Sequence, residues 1–131
     1  MRYLYIALGG ALGTLARWRL EGLAPHAALP VGILIANLAG SLLLGWLFPL
    51  TLASAMPPDM RLGLVTGFFG GFTTFSTWLA GTMALTLGAH LGLAVLYLGI
   101  SMVGGVVLCL AGTAVARWMT ARPEGGMAGA G

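Results

Sequence analysis

The chain has 131 residues, of which 59% are hydrophobic and only 7% carry a formal charge; its net charge is +3 and its mean hydropathy is +0.98. A water-soluble domain of this size has too little interior to hide so much apolar surface, so the composition predicts an integral membrane protein. The positive charge comes from arginines near the ends of apolar segments, which favours lipid headgroups or anions as partners and argues against nucleic acid.

Four apolar segments are long enough to cross a bilayer, which takes about 20 residues. We predict an all-α domain over residues 1–122 with membrane-spanning helices at residues 3–20, 30–52, 62–87 and 91–118. The connections are short and contain helix-breaking or polar residues: Ala24-Pro25-His26 with Pro30, Met56-Pro57-Pro58-Asp59, and Gly88-Ala89-His90. The Gly/Ala-rich tail at 123–131 has a composition typical of disorder.

The first apolar segment follows Met1-Arg2, and a short basic start before an apolar run is also the pattern of a cleaved signal peptide. No small-x-small cleavage site separates it from Arg17-Trp18-Arg19, so we expect it to remain as the first span. Small residues recur at four-residue spacing in the first and third segments, which permits close helix contact: Gly9 and Gly13, then Gly63, Gly67 and Gly71. Four short helices seldom enclose a pathway alone, so we expect an oligomer.

The arginines indicate membrane orientation only weakly. With the amino terminus inside, four of them fall on the cytoplasmic side and two, Arg17 and Arg19, fall outside. Either Arg17 snorkels and carries no topological weight, or the protein inserts in both orientations and dimerises antiparallel. The sequence leaves both interpretations open.

The third segment contains the run GFFGGFTTFSTW at residues 67–78, where paired glycines and hydroxyl residues predict a broken helix. Irregular backbone survives inside a bilayer only where protein or a polar cavity satisfies its N–H and C=O groups, so the break indicates a site. Carbonyls freed there, such as those of Gly70 and Thr73, suit a cation. The rings of Phe75 and Trp78 share a face, and their positive edges suit a small anion.

Neutral hydrogen-bonding residues also mark the second and fourth segments. Asn37 and Ser41 are four residues apart on one face of the second segment, and Tyr97 and Ser101 have the same spacing in the fourth. A single serine in such a position is most often helix–helix glue, but an asparagine at mid-span is harder to explain in that way.

Acidic groups are absent from the middle of every predicted span, since Glu21, Asp59 and Glu124 all fall in connections or in the tail. Acid–base or nucleophilic catalysis needs titratable groups within hydrogen-bond reach, so we expect no enzyme. A proton-coupled exporter of four short helices needs a membrane-buried carboxylate, and the same absence places a small multidrug exporter third among the candidate functions.

Four motifs in chain order together resemble the CrcB/Fluc fluoride channel family, although each fragment alone is weak. They are Gly9-Gly10-x-x-Gly13 through Arg17, Asn37-x-x-Gly40-Ser41-x-x-x-Gly45, Gly70-Gly71-x-Thr73-Thr74-Phe75-Ser76-Thr77 and, more loosely, Tyr97-x-x-x-Ser101.

The resemblance implies a passive, fluoride-selective channel of the cell membrane that exports fluoride and lowers its toxicity. It implies an antiparallel, dual-topology homodimer with two pores and a structural, non-transported sodium ion held by the backbone carbonyls of Gly70 and Thr73. Arg17 would lie near a pore vestibule or anchor the dimer end, and Ser41 would share the face of Asn37. The implied ion pathway comprises Asn37, Phe75, Ser76, Thr77, Trp78, Tyr97 and Ser101.

The chain departs from the family pattern at Trp78, where phenylalanine is usual, at Gly81, where many members carry glutamate, and at Gly105, where a hydroxyl is frequent. Trp78 adds bulk and an N–H donor, which can strengthen an anion site or narrow a pore. The nearest alternative is therefore one subunit of an obligate heterodimeric fluoride channel, in which this chain supplies a single working pathway.

Overall fold

The computed structural model describes residues 1–22 and 29–121, and every regular element among them is helical. The helices are α1 (Arg2–Glu21), α2 (Val31–Ala53), α3 (Pro58–Leu62), α4 (Phe69–Phe72), α5 (Ser76–Leu87) and α6 (Leu91–Thr120), with a π-helical segment, Gly63–Phe68, between α3 and α4. The predicted all-α class is confirmed for these residues. The predicted tail at 123–131 and the predicted break at Ala24-Pro25-His26 lie outside them.

The helices begin and end close to the helix-breaking residues of the sequence. The first, second and fourth predicted spans agree with α1, α2 and α6 to within two residues at each end. Pro58 occupies the first turn of α3, where a missing N–H costs nothing. Gly88 closes α5, Ala89 takes a positive φ of 60°, and the backbone then enters α6 after His90.

Two helices, α2 and α6, are long and apolar enough to cross a membrane by length and composition. The third apolar segment is divided into shorter elements. A π-helical turn is wider than an α-helical one, and here the N–H of Phe69 reaches back five residues to the carbonyl of Leu64.

Helix α1 packs closely against the π-helical segment and α4, and it runs parallel to them. A Cβ atom added at Gly13 would overlap the carbonyl of Phe68 and would lie 2.9 Å from the N atom of Phe72. The predicted close contact of the glycine faces is therefore confirmed, and the two faces meet within one chain.

Helices α2 and α6 form a second parallel pair. A Cβ added at Gly45 would overlap the backbone of Cys109, so the two helix backbones are nearly in contact. Pro49 has no N–H to donate to the carbonyl of Gly45 one turn earlier. The Thr113 hydroxyl of α6 lies 3.2 Å from that carbonyl and 2.9 Å from the carbonyl of Cys109 in its own helix, so its one proton is shared between the two acceptors. A proline inside a membrane helix is tolerated where a neighbouring side chain satisfies the freed carbonyl in this way.

Because α2 runs antiparallel to α1 and to the third segment, the charged residues gather at the two ends of the bundle. Arg2, Asp59, Arg61 and Arg117 lie at one end, and Arg17, Arg19 and Glu21 at the other. The surface between them is apolar. Large exposed side chains include Leu4, Leu8, Leu12 and Leu15 on α1 and Val103, Val106, Val107 and Leu110 on α6.

Candidate functional site

The helical path is interrupted between α4 and α5. Thr73 has extended backbone with φ −83° and ψ 154°, and both its N–H and its hydroxyl donate to the carbonyl of Phe69, over 2.9 Å and 2.7 Å. The next helix begins at Ser76. The chain therefore leaves the regular helix at Thr73 in the middle of an apolar segment, and it returns to helical φ and ψ at Phe75, the N-cap of α5.

Asn37 of α2 is joined to the interruption by two hydrogen bonds. Its Nδ2 donates to the carbonyl of Thr74 over 3.0 Å, and its Oδ1 accepts from the N–H of Thr74 over 2.8 Å. The side-chain amide thus replaces the backbone partner that Thr74 loses by leaving the helix. Part of the hydrogen-bonding capacity of the amide stays available, since Nδ2 carries a second N–H.

The hydroxyl of Thr74 organises the start of α5. Its oxygen accepts from the N–H of Thr77 over 3.2 Å, in the first turn of the helix. It also lies 3.0 Å from the hydroxyl of Thr77 and 3.5 Å from that of Ser76. Three hydroxyl groups therefore cluster at a helix N-terminus, where the helix dipole favours negative charge.

A surface groove of about 330 Å³ opens beside this cluster. Its walls come from α2, the interruption, α5 and α6, and none of them is charged. The lining residues are Asn37, Ser41, Thr73, Thr74, Phe75, Trp78, Ser101 and Met102. The structure therefore brings Asn37, Phe75, Trp78 and Ser101 of the predicted pathway to one groove, together with Ser41. Ser76 and Thr77 stand beside it in the hydroxyl cluster.

The two rings of the predicted aromatic pair have opposite environments. Their centroids are 5.4 Å apart and their planes are tilted by 49°. Phe75 is 72% exposed, whereas Trp78 is 7% exposed and belongs to the apolar core. Phe75 therefore faces away from the helix bundle, and Trp78 faces inward.

Tyr97 lies apart from the groove. It is fully buried in the core cluster with Ile33, Trp78, Leu85 and Ala94. Its hydroxyl has no hydrogen-bond partner among the described residues. The spacing that placed it with Ser101 is correct for one helix, but only Ser101 lines the groove.

Arg17 approaches the interruption from α1. Its Nε donates to the carbonyl of Gly71 over 3.2 Å, and its Nη1 pairs with the Glu21 carboxylate one turn later. The guanidinium therefore stabilises the C-terminal end of α4, where carbonyls lack helical partners, and its charge is balanced nearby.

The sequence profile of the family described as CrcB-like protein, Camphor Resistance (CrcB), matches residues 4–113. The chain belongs to the CrcB family. The resemblance found in the sequence is thereby confirmed.

Relatives in the CrcB family cover nearly the whole chain. Fluoride-specific ion channel FluC of Anaeromyxobacter sp. (strain K) is 41% identical over 124 residues, 90% of this chain and 97% of the relative. The protein of the same name from Thermus thermophilus is 42% identical over 114 residues, 85% of this chain and 91% of its own. Fluoride-specific ion channel FluC 1 of Moorella thermoacetica is 40% identical over 121 residues, 89% and 86% of the two chains.

Membership of the CrcB family settles the broad class of the protein. The relatives are named as ion channels, so the family is not an enzyme family, as the sequence predicted. The apolar helices and the family together identify a membrane protein.

The carbonyls predicted to hold sodium in the CrcB resemblance lie at the interruption. No hydrogen bond within the described residues ends on the carbonyl oxygen of Gly70 or Thr73, whereas those of Phe69, Gly71 and Thr74 are engaged. A Cβ at Gly70 would meet nothing within 4 Å. No group of three or more His, Cys, Asp or Glu in the described residues could hold a metal. Two backbone carbonyl oxygens, of Gly70 and Thr73, are therefore available as ligands at the interruption.

Two groove residues were not among the predicted site residues. Thr74 is central, because it bonds Asn37 through its backbone and Ser76 and Thr77 through its hydroxyl. One indication of this role was present in the sequence, because Thr74 directly follows Thr73, a predicted site residue, in the run at the helix break. Met102 lines the groove beside Ser101, and nothing in the sequence distinguishes it from other apolar residues of α6.

Proposed function

We propose that the chain forms a fluoride-selective passive channel that exports fluoride from the cytoplasm across the cell membrane and so lowers fluoride toxicity. The observation that carries the proposal is the uncharged groove at the helix interruption, where Asn37 holds the backbone of Thr74 beside hydroxyl donors and an aromatic pair. The names of the relatives support fluoride as the ion.

In this proposal the protein crosses the membrane four times, as α1, α2, the third segment with its interruption, and α6. The up-and-down arrangement of these segments supports multiple crossings. The break in the third span serves to turn hydroxyl and amide groups toward the groove instead of toward lipid.

Fluoride is small and strongly hydrated, so a pathway must replace its water with hydrogen-bond donors. The free N–H of Asn37, the hydroxyls of Ser76, Thr77 and Ser101, and the positive edges of Phe75 and Trp78 supply that replacement along the groove. Neutral donors hold an anion less tightly than a fixed cation does, which favours release. Chloride is larger and forms weaker hydrogen bonds, so it gains less from the same donors.

We propose an antiparallel, dual-topology homodimer as the working assembly. The groove is open on one side, Phe75 is exposed, and apolar side chains cover the outer surface of the bundle. A second copy facing the groove would close it, and the chain has arginines at both ends, as insertion in either orientation requires.

The carbonyls of Gly70 and Thr73 are the groups that would hold a structural sodium ion. When bound, sodium would supply positive charge that offsets the carbonyl dipoles of two facing interruptions. In this chain Arg17 holds the neighbouring carbonyl of Gly71, which keeps that oxygen out of the site.

An obligate heterodimer is the second candidate, favoured by Trp78, which stands where the family usually has phenylalanine and is buried in the apolar core. A proton-coupled exporter ranks lower, because Glu21 is paired with Arg17 at a helix end and the groove lining has no carboxylate.

The test is fluoride efflux from liposomes that contain this purified chain alone, read with a fluoride electrode, with a potassium ionophore to carry counter-charge. Fast efflux of fluoride and negligible efflux of chloride support a self-sufficient channel. Silence from a folded protein favours a required second subunit, and equal rates for the two anions would overturn the proposed selectivity.

A further inference from the structure

Arg19, near the carboxyl end of α1, carries a positive charge that no carboxylate among the described residues balances. Glu21, the acidic side chain that the described residues place at this end of the bundle, forms its ion pair with Arg17. By sequence, residues 22–28 contain no Asp or Glu, and Asp59 lies at the opposite end of the bundle. Arg19 is exposed, so its charge is available to a partner outside the chain.

The Arg19 guanidinium lies against an indole ring at the level of the membrane surface. Its central carbon is 5.6 Å from the centroid of the Trp18 ring, within the range of a cation–π contact. Trp18 is 62% exposed, and tryptophan in membrane proteins concentrates at the level of the lipid headgroups. The 20 residues of α1 span about 30 Å, the thickness of the hydrocarbon core, so its last turn reaches the headgroups of one leaflet.

An open cavity of about 490 Å³ lies beside this pair and is lined by Trp18, Arg19, Glu21 and Gly22. The cavity offers groups of both charges. Arg19 supplies a fork of N–H donors that fits a phosphate. The Glu21 carboxylate contacts Arg17 through Oε1, so Oε2 can accept from a second cation. The carboxyl end of the α1 dipole also favours positive charge.

We propose that this cavity binds the headgroup of a zwitterionic phospholipid that carries a primary ammonium, as phosphatidylethanolamine does. Its phosphate would contact Arg19, and its ammonium would contact Glu21 and the last carbonyls of α1. A purely anionic headgroup would meet a carboxylate and the negative end of a helix dipole. A quaternary ammonium has no N–H to donate to either acceptor. The cavity lies apart from the groove at the helix interruption, and its role does not depend on fluoride transport.

The test is native mass spectrometry of the delipidated full chain in detergent, titrated with phosphatidylethanolamine, phosphatidylglycerol or phosphatidylcholine of identical acyl chains. We expect phosphatidylethanolamine to bind at the lowest concentration. Arg19→Gln should need about 10-fold more of it, because the variant loses a charge-assisted contact with the phosphate. Arg117→Gln is the matched control and should bind as the unmodified chain does. Arg117 precedes the exposed Trp118 at the opposite end of the bundle, so the control also removes an arginine next to an exposed tryptophan.

Four results would each overturn the proposal. Tighter binding of phosphatidylglycerol would show a site for anionic lipids, and equal binding of phosphatidylcholine would remove the role of the ammonium. Equal weakening in Arg19→Gln and Arg117→Gln would show attraction by net charge alone. Displacement of the lipid by an equal concentration of soluble phosphoethanolamine would show a site for the free headgroup.

A second variant tests the ammonium contact separately. Glu21→Gln should lose the preference for phosphatidylethanolamine over phosphatidylcholine, and an unchanged preference would contradict the assigned contact. If Arg19→Gln does not fold, the order in which the unmodified chain binds the three lipids still decides the proposal. Because lipid binding is measured without fluoride, a failure here is distinct from a failure of the proposed channel function.

Discussion

Replacing Asn37 separates the two tasks that the structure gives to this residue. The side chain holds the interruption through two hydrogen bonds to Thr74, and it lines the groove through which we propose the anion moves. Asn37→Ala removes both hydrogen bonds without adding charge. Asn37→Asp keeps an acceptor for the N–H of Thr74, but it sets a carboxylate oxygen against the carbonyl of Thr74.

The expected magnitudes differ for stability and for flux. Each lost hydrogen bond contributes about 1 kcal/mol net, so Asn37→Ala should destabilise the fold by about 2 kcal/mol. In Asn37→Asp, a carboxylate about 4 Å from the anion repels it by about 4 kcal/mol at an effective dielectric constant of about 20, close to a thousandfold in occupancy. Asn37→Asp should therefore lose far more flux than Asn37→Ala.

The assay is initial fluoride efflux from liposomes, normalised to folded protein, together with thermal unfolding of each variant in detergent. Unchanged efflux in Asn37→Asp would refute an anion path along the groove. Equal losses in the two variants would show that the damage comes from the broken Thr74 contact, and the electrostatic reasoning would then be wrong.

Three further predictions follow from packing and ion binding. Thr113→Val removes the hydroxyl that the carbonyls of Gly45 and Cys109 share, a loss of about 1 kcal/mol, so it should lower the thermal unfolding temperature; the part due to Gly45 should shrink in a Pro49→Ala background, where the backbone N–H returns. Gly13→Leu should prevent normal folding, measured by size-exclusion chromatography, because its Cβ overlaps the carbonyl of Phe68; a well-folded variant would contradict the packing. Replacing sodium by a large organic cation on both sides should reduce fluoride efflux, and indifference to the exchange would remove the proposed sodium site.

The helix bounds could be predicted because their signals are local. Apolar length defines α2 and α6, and the prolines at 57 and 58 and the Gly88-Ala89-His90 sequence define where neighbouring helices stop and start. The π-helical segment, Gly63–Phe68, could not be predicted in this way. It lies where the backbone of α1 approaches most closely, which is a property of the packed helices and not of six residues alone.

The sequence predicts most of the residues that form the candidate site, but it does not predict how they are arranged. The mid-span asparagine, Asn37, was predicted as a pathway residue, and the sequence did not indicate that its amide holds the backbone of Thr74, 37 residues away. Tyr97 and Ser101 have the spacing of one helix face, but that face is wide enough for Tyr97 to enter the core while Ser101 reaches the groove. Helix periodicity places residues on a face and cannot say which neighbour covers each of them.

The placement of charge explains why the groove would let an anion pass instead of holding it tightly. Arg17 is balanced by Glu21, and Arg61 donates to the carbonyl of Thr51 at the end of α2, so neither guanidinium faces the groove as a free cation. An arginine in the groove would hold a dehydrated anion through charge-assisted hydrogen bonds about twice as strong as neutral ones. Rapid conduction needs binding that offsets dehydration without trapping the ion, and a series of neutral donors meets both requirements. The arginines therefore stabilise helix ends, while neutral amide, hydroxyl and aromatic groups line the groove.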